Sequence, residues 1–128
     1  MKTKIILRYI FYSILLINLA VSAQNKRNAP TKNKYKITFY ELGSVRCIPC
    51  IKMQPVIKSI EEKYKKDVKV VFYDVWTSEG KEKAKDFVFN SIPTQIFVDE
   101  NGKEFFRHVG YFSEEEIEAV LAKKGIKK

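Results

Sequence analysis

The stretch SVRCIPC, residues 44–50, contains both cysteines of this 128-residue chain, Cys47 and Cys50. Their spacing lets one sulfur attack a partner's disulfide while the other resolves the mixed disulfide that forms. The sequence turns helical just after the pair, and a helix N-terminus offers unpaired N–H groups and a partial positive charge. Both favour the thiolate, which is the nucleophilic form of cysteine. The stretch therefore predicts redox chemistry.

Other interpretations of the cysteine pair are weaker. A closed structural zinc site usually takes four Cys or His ligands, and the chain has one histidine, His108, beside its two cysteines. Haem attachment needs a histidine directly after the second cysteine, where Ile51 stands. A structural disulfide stays open as an alternative, although closing so short a loop contributes only about 2 kcal/mol.

Strand patterns lie on both sides of the pair. Runs of β-branched and aromatic residues predict strands at 35–41, 68–75, 94–98 and 103–109. The second run is almost continuously apolar, which predicts a mostly buried strand. A hairpin turn is expected at 99–102, because Asn-Gly is a strong turn signal.

Helices are predicted between and after these strands. Apolar residues recur at helical spacing from Cys50 to Tyr64. Ser78 is expected to cap a short helix through Asn90, whose inner face carries Ala84, Phe87 and Val88. A capping box of Ser113 and Glu116 predicts a last helix through Lys124, with Ile117, Val120 and Leu121 facing inward. The order β-α-β-α-β-β-α predicts an α/β fold in which a mixed four-stranded sheet, parallel first and antiparallel last, is flanked by helices.

A CxxC that leads from a strand into a helix within a βαβ unit resembles the thioredoxin family. A second motif, residues 91–94 (Ser-Ile-Pro-Thr), lies just before the third predicted strand, where thioredoxins carry a cis-proline. The resemblance spans Tyr35 to about Lys124 and implies a thioredoxin-like fold. The short segment before Tyr35 leaves no room for the family's extra N-terminal strand and helix, so a minimal version is expected.

The resemblance implies roles for individual residues. Cys47 matches the attacking, more exposed cysteine, and Cys50 the buried resolving one. Pro93 matches the cis-proline, and the backbone of Ile92 is expected to pair with an extended substrate segment. The substrate-binding set is completed by Arg46, Ile48, Pro49 and Thr94.

Three positions remain open at this stage. Glu41 stands where thioredoxins carry a buried acid that assists proton transfer to the resolving cysteine, but a strand-end Glu facing water is equally compatible with the sequence. Arg46 replaces the usual tryptophan and could stabilise the Cys47 thiolate, bind an acidic partner or face solvent. Trp76 ends a strand and could lie at the rim of the site.

The first 23 residues have the pattern of a secretory signal peptide: a basic start, a short apolar run and a small-residue cleavage site after Ala23. Residues 24–34 are polar and basic and predict a flexible lead-in to the domain at 35–128. We therefore expect an exported, periplasmic or otherwise extracytoplasmic protein, membrane-anchored if the leader is retained. The leader carries three positive charges and no acid, so the mature chain keeps +6 of the formal +9.

The expected function is that of an exported thiol–disulfide oxidoreductase, reducing protein disulfides through the Cys47/Cys50 dithiol. Its expected partners are proteins with disulfides and a membrane electron donor. No cofactor beyond the redox-active disulfide, no nucleic acid and no metal are expected, and the protein is expected to be a monomer. The alternatives are a dithiol oxidase or isomerase of exported proteins, and a non-catalytic binding module whose disulfide only holds the loop.

Overall fold

The computed structural model describes residues 34–127. Four strands and three helices lie within this range, and their predicted order is confirmed. The predictions for the leader at 1–23, and for all but the last residue of the lead-in, fall outside the described residues. The strands are β1 (Ile37–Gly43), β2 (Val68–Asp74), β3 (Thr94–Asp99) and β4 (Glu104–Val109), and the helices are α1 (Ile48–Tyr64), α2 (Ser78–Ala84) and α3 (Glu114–Lys123).

The strands form one mixed sheet in the order β2-β1-β3-β4. As predicted, β1 and β2 are parallel, and β3 and β4 form an antiparallel hairpin. β1 is central and buried along almost its whole length. The prediction that β2 is mostly buried is wrong: after Val68 its residues are exposed or only partly buried. Its apolar run belongs to an edge strand, and no strand within residues 34–127 pairs with its outer side.

The larger core lies between the sheet and the helices α1 and α3. The α1 residues that the helical spacing placed inward are buried there, and so are Ile117, Val120 and Leu121 of α3. On the sheet side, the rings of Phe39 and Phe97 stack with their centroids 4.5 Å apart. Burial of this apolar surface is the main favourable contribution to folding.

The opposite face of the sheet is covered by α2 and the segment that follows it. Here three predictions are wrong: the capping residue, the end of the helix and the inward position of Val88. The N-cap of α2 is Thr77, whose hydroxyl accepts a hydrogen bond from the Gly80 N–H, and the helix ends at Ala84. Val88 is 82 % exposed, while Phe87 packs against Tyr40.

The two remaining local predictions are confirmed. The hairpin turn ends at Gly102, which has a positive φ of 78°, and the Asp99 carboxylate accepts hydrogen bonds from the Asn101 and Lys103 N–H groups. The capping box of Ser113 and Glu116 is complete in both directions. Within the range 34–127, no helix has the length and apolarity needed to cross a membrane.

Candidate active site

Cys47 and Cys50 lie where β1 leads into α1. Cys47 is the N-cap of the helix and Cys50 lies in its first turn. The two form a disulfide, with their Cα atoms 5.2 Å apart. Both cysteines are buried, but Cys47 is 7 % exposed while Cys50 is fully buried, so Cys47 is the more exposed of the two.

The N-terminus of α1 is open toward the Cys47 sulfur. No side chain caps this helix and no acidic residue stands in its first turn. No acidic residue within that turn therefore offsets the partial positive charge of the helix end. When the disulfide is reduced, that charge favours the thiolate form of Cys47.

Asp74 connects the loop that precedes Cys47 to the loop after β2. Its two carboxylate oxygens accept hydrogen bonds from the Val45 N–H at 3.3 Å and from the Trp76 N–H at 3.0 Å. Burial alone would raise the pKa of Asp74, but these bonds, one from Ser44 and the positive charge of Arg46 hold that pKa below its ordinary value. Asp74 is a site residue that the sequence reasoning missed, although its place at the end of a strand parallel to β1 was a usable signal.

Arg46 lies over Trp76. The Arg46 guanidinium carbon is 5.6 Å from the centroid of the indole ring, which is a cation–π geometry. Trp76 is 48 % exposed and lies at the rim of the site, where its place at the end of a strand allowed it to be. Arg46 is exposed too, and the indole face holds its side chain beside the loop that carries Cys47.

Exposed apolar side chains surround the disulfide. Val45 precedes it, Ile48 and Ile51 project from the first turn of α1, and Trp76 lies across the loop. Pro49 is also exposed, between the cysteines. Clustered exposed apolar residues typically mark an interaction surface.

The loop before β3 reaches the same end of the sheet. Thr94 is the register partner of Leu42 near the end of β1, so residues 91–93 lie beside the end of β1. The Ile92–Pro93 peptide bond is cis, and the Thr94 hydroxyl donates to the Ser91 carbonyl at 2.6 Å. Within residues 34–127, the backbone of Ile92 makes no hydrogen bond to another backbone group.

Glu41 is fully buried, so its side chain does not face water. It lies on the α1-facing side of β1, two residues before Gly43. A Cβ atom at Gly43 would lie 3.3 Å from the Cβ of Cys50, so this side of β1 lies against the resolving cysteine. Burial raises the pKa of Glu41 to about 8, against a smaller lowering influence from the Gln95 amide.

The neighbours of Glu41 in the sheet are uncharged. Its register partners are Phe72 on β2 and Gln95 on β3. The Gln95 side chain is close enough to influence the pKa of Glu41, yet neither carboxylate oxygen makes a hydrogen bond of normal geometry within the described residues. Gln95 was also missed by the sequence reasoning; a glutamine within an apolar strand was the available signal.

Among residues 34–127, no cluster of three or more His, Cys, Asp or Glu side chains could hold a metal ion. The ring of His108 stacks on that of Phe112, with the two ring centroids 4.2 Å apart.

Comparison with known proteins agrees with this geometry. A family model described as a thioredoxin-like domain matches residues 22–125. The chain belongs to the thioredoxin family. A search of curated proteins finds no match.

Solved thioredoxin structures share the fold. Thioredoxin-2 of the malaria parasite, a component of that parasite's protein secretion machinery, is 19 % identical; the alignment covers 69 % of this chain and 82 % of that one, with a TM-score of 0.62. Oxidised thioredoxin O2 from Arabidopsis thaliana is 20 % identical over 69 % and 74 % of the two chains, with a TM-score of 0.59. Deadhead, the germline-specific thioredoxin of Drosophila melanogaster, is 24 % identical over 79 % and 90 %, also at 0.59.

Proposed function

We propose that this protein is an exported thiol–disulfide oxidoreductase that reduces disulfides in other proteins. The observation that carries the proposal is the disulfide between Cys47, the more exposed cysteine, and the fully buried Cys50 at an uncapped helix N-terminus. A disulfide that only held the loop would need neither the open helix end nor the buried acid on the same side of β1.

The reaction starts from the dithiol. The Cys47 thiolate attacks one sulfur of the substrate disulfide, the substrate S–S bond breaks, and the other substrate sulfur leaves as a thiolate. Cys50 then gives up its proton and attacks the Cys47 sulfur. The Cys47–Cys50 bond forms, the mixed disulfide breaks, and the second substrate sulfur leaves and takes up a proton. Two electrons have passed from the dithiol to the substrate.

Glu41 is the proposed acceptor of the Cys50 proton. A general base works best when its pKa lies near the operating pH, and a pKa of about 8 keeps both forms of Glu41 populated near neutrality. The same burial that raises the pKa excludes competing water.

The substrate is proposed to bind across the exposed apolar residues that surround the disulfide. The backbone groups of Ile92, which bond to no other backbone group within residues 34–127, would pair with an extended substrate segment, in the manner of an added strand. Pro93 and Thr94 hold that loop, because the Pro93 carbonyl accepts the Gly110 N–H at 2.8 Å and Thr94 bonds to Ser91.

Export and the reducing direction are parts of the proposal that rest on the sequence. The signal-peptide pattern supports export, and an exported reductant must be recharged. A membrane protein that presents a dithiol would supply the two electrons and reduce the Cys47–Cys50 bond. A monomer is proposed, without a bound cofactor.

The first test is covalent trapping. With Cys50→Ser, the Cys47 thiolate still attacks a protein disulfide but the mixed disulfide cannot be resolved, so we expect stable conjugates that dithiothreitol releases. The matched control, Cys47→Ser, should form none. A Cys50→Ser protein that retains partners only non-covalently would instead support the binding-module alternative.

The direction is tested by the equilibrium reduction potential of the purified protein in a dithiothreitol buffer. We expect a value near that of thioredoxin, about −270 mV. A value near about −120 mV would replace the reductase by an oxidant of newly exported proteins.

A further inference from the structure

Glu41 and Gln95 form a buried polar pair on the α1-facing side of the sheet. They are direct partners in the antiparallel ladder between β1 and β3. Side chains of such partners point to the same face and lie next to each other. Both residues are fully buried.

The pair contains three oxygens without hydrogen-bond partners within the described part of the chain: both carboxyl oxygens of Glu41 and the Gln95 Oε1. The Gln95 amide is nonetheless held in place, because its Nε2 donates to the Gly110 carbonyl at 3.1 Å. That bond uses one of the two amide hydrogens. The second hydrogen and Oε1 remain available to the neighbouring carboxyl group.

Among residues 34–127, no charged group faces Glu41 from the elements packed against it. Phe72 is its neighbour on β2 and Gln95 its neighbour on β3, while Cys50 of α1 lies against β1 at Gly43. The causes that act on the pKa of Glu41 are burial and Gln95 alone. Reduction of the disulfide adds two titratable thiols at this end of α1, Cys47 and Cys50, and Cys50 is the one that lies against β1 at Gly43.

We propose that Gln95 is a positioning residue that partners Glu41 in both of its protonation states during disulfide exchange. The Gln95 Oε1 accepts the O–H of the neutral acid, and the free Nε2 hydrogen is donated to the carboxylate. A cation at this place would hold Glu41 ionised, whereas a neutral amide serves both forms. The inference deepens the proposed function and rests on it.

The pKa of Glu41 gives a test that does not depend on enzymatic activity. Gln95→Met removes both polar groups at similar side-chain length. Hydrogen bonds to a charged group are stronger than those to a neutral one, so the carboxylate loses more than the acid does. We expect the pKa of Glu41, followed by its side-chain carboxyl ¹³C resonance in the oxidised protein, to rise by about one unit.

The matched control is Ile96→Val, on the same strand but facing the other core, which should leave the pKa of Glu41 unchanged. In the kinetics of the resolving step, the rising limb of the pH–rate profile should shift upward in Gln95→Met by the same amount as the pKa. A merely structural loss would lower the rate at every pH without that shift. An unchanged pKa of Glu41 in Gln95→Met overturns the inference.

A wild-type measurement decides the matter if Gln95→Met does not fold. The side-chain amide resonances of Gln95 should titrate with the midpoint of Glu41, and the titration should vanish in Glu41→Gln. Gln95 amide resonances that do not shift as Glu41 titrates contradict the inference. A protein that exchanges no disulfides would refute the proposed function, while these titrations would still show whether Gln95 partners Glu41.

Discussion

Two adjacent cross-strand pairs on one face of the sheet serve opposite purposes. Phe39 pairs with Phe97, and two residues further along β1 Glu41 pairs with Gln95. Both pairs are fully buried against the α1 side. The aromatic pair stacks with its rings only 10° from parallel, while the polar pair leaves three oxygens without partners in the described residues.

The aromatic pair contributes to the stability of the fold, whereas the polar pair is the one for which a part in the reaction is proposed. The aromatic pair removes a large apolar area from water and stabilises the sheet. The polar pair is unfavourable for folding, because burial deprives the Glu41 carboxyl of its hydration. That same loss raises the pKa of Glu41 to about 8, and the proposed proton transfer from Cys50 depends on this raised value.

The largest effect on stability is expected from a substitution in the aromatic pair. Phe97→Ala should lower the free energy of unfolding by about 4 kcal/mol, because it leaves a cavity at the centre of the core. Urea denaturation followed by circular dichroism measures it. Phe105→Ala, at a partly buried neighbouring ring, is the control and should lose clearly less. Equal losses of unfolding free energy in the two variants would show that the stacked pair contributes no more than the partly buried ring.

The next largest effect is expected in the pH dependence of stability, and it comes from Glu41 in the polar pair. The pKa of Glu41 is raised from 4.5 to about 8 in the folded protein, so over this interval the unfolded chain ionises first and releases the proton. Stability therefore falls as the pH rises through the interval, by about 3 kcal/mol between about pH 5 and pH 8. Denaturation curves at both pH values measure the loss.

Glu41→Gln is the control for this dependence, since an amide does not ionise and its stability should stay nearly level over the same interval. The lowered pKa values of Glu79, Glu104 and Glu116 act only at more acidic pH, so they do not confuse the result. A wild-type protein whose stability is level from about pH 5 to pH 8 would contradict the buried, protonated state of Glu41.

The smallest effect tests whether the opposite face of the sheet is independent of the pair. Thr77→Ala removes the N-cap of α2 and should lower the free energy of unfolding by about 1 kcal/mol. The pKa of Glu41 and the rate of disulfide exchange should not change. Ser78→Ala, which alters the residue that does not cap the helix, should cost less. A changed Glu41 titration in Thr77→Ala would show that the two faces are coupled.

Local patterns predicted most of this fold. The helical spacing of Met53, Ile57 and Ile60, the Asn-Gly turn and the capping box each follow from interactions within a few residues, and each is present. Predictions that depend on distant neighbours were less reliable. The apolar run of β2 did not reveal an edge strand, and the pattern after Ser78 extended α2 past Ala84 to Val88, which faces solvent.

By itself, then, the sequence determined the order of elements, the parallel pairing of β1 with β2, and the presence of Cys47 and Cys50 at a helix N-terminus. Only the tertiary structure decided that Glu41 is buried, that Gln95 stands beside it, and that Asp74 links the two loops. The physical reason is that spacing and capping act within one element. Burial and the pairing of polar groups depend instead on which strands become neighbours across the sheet.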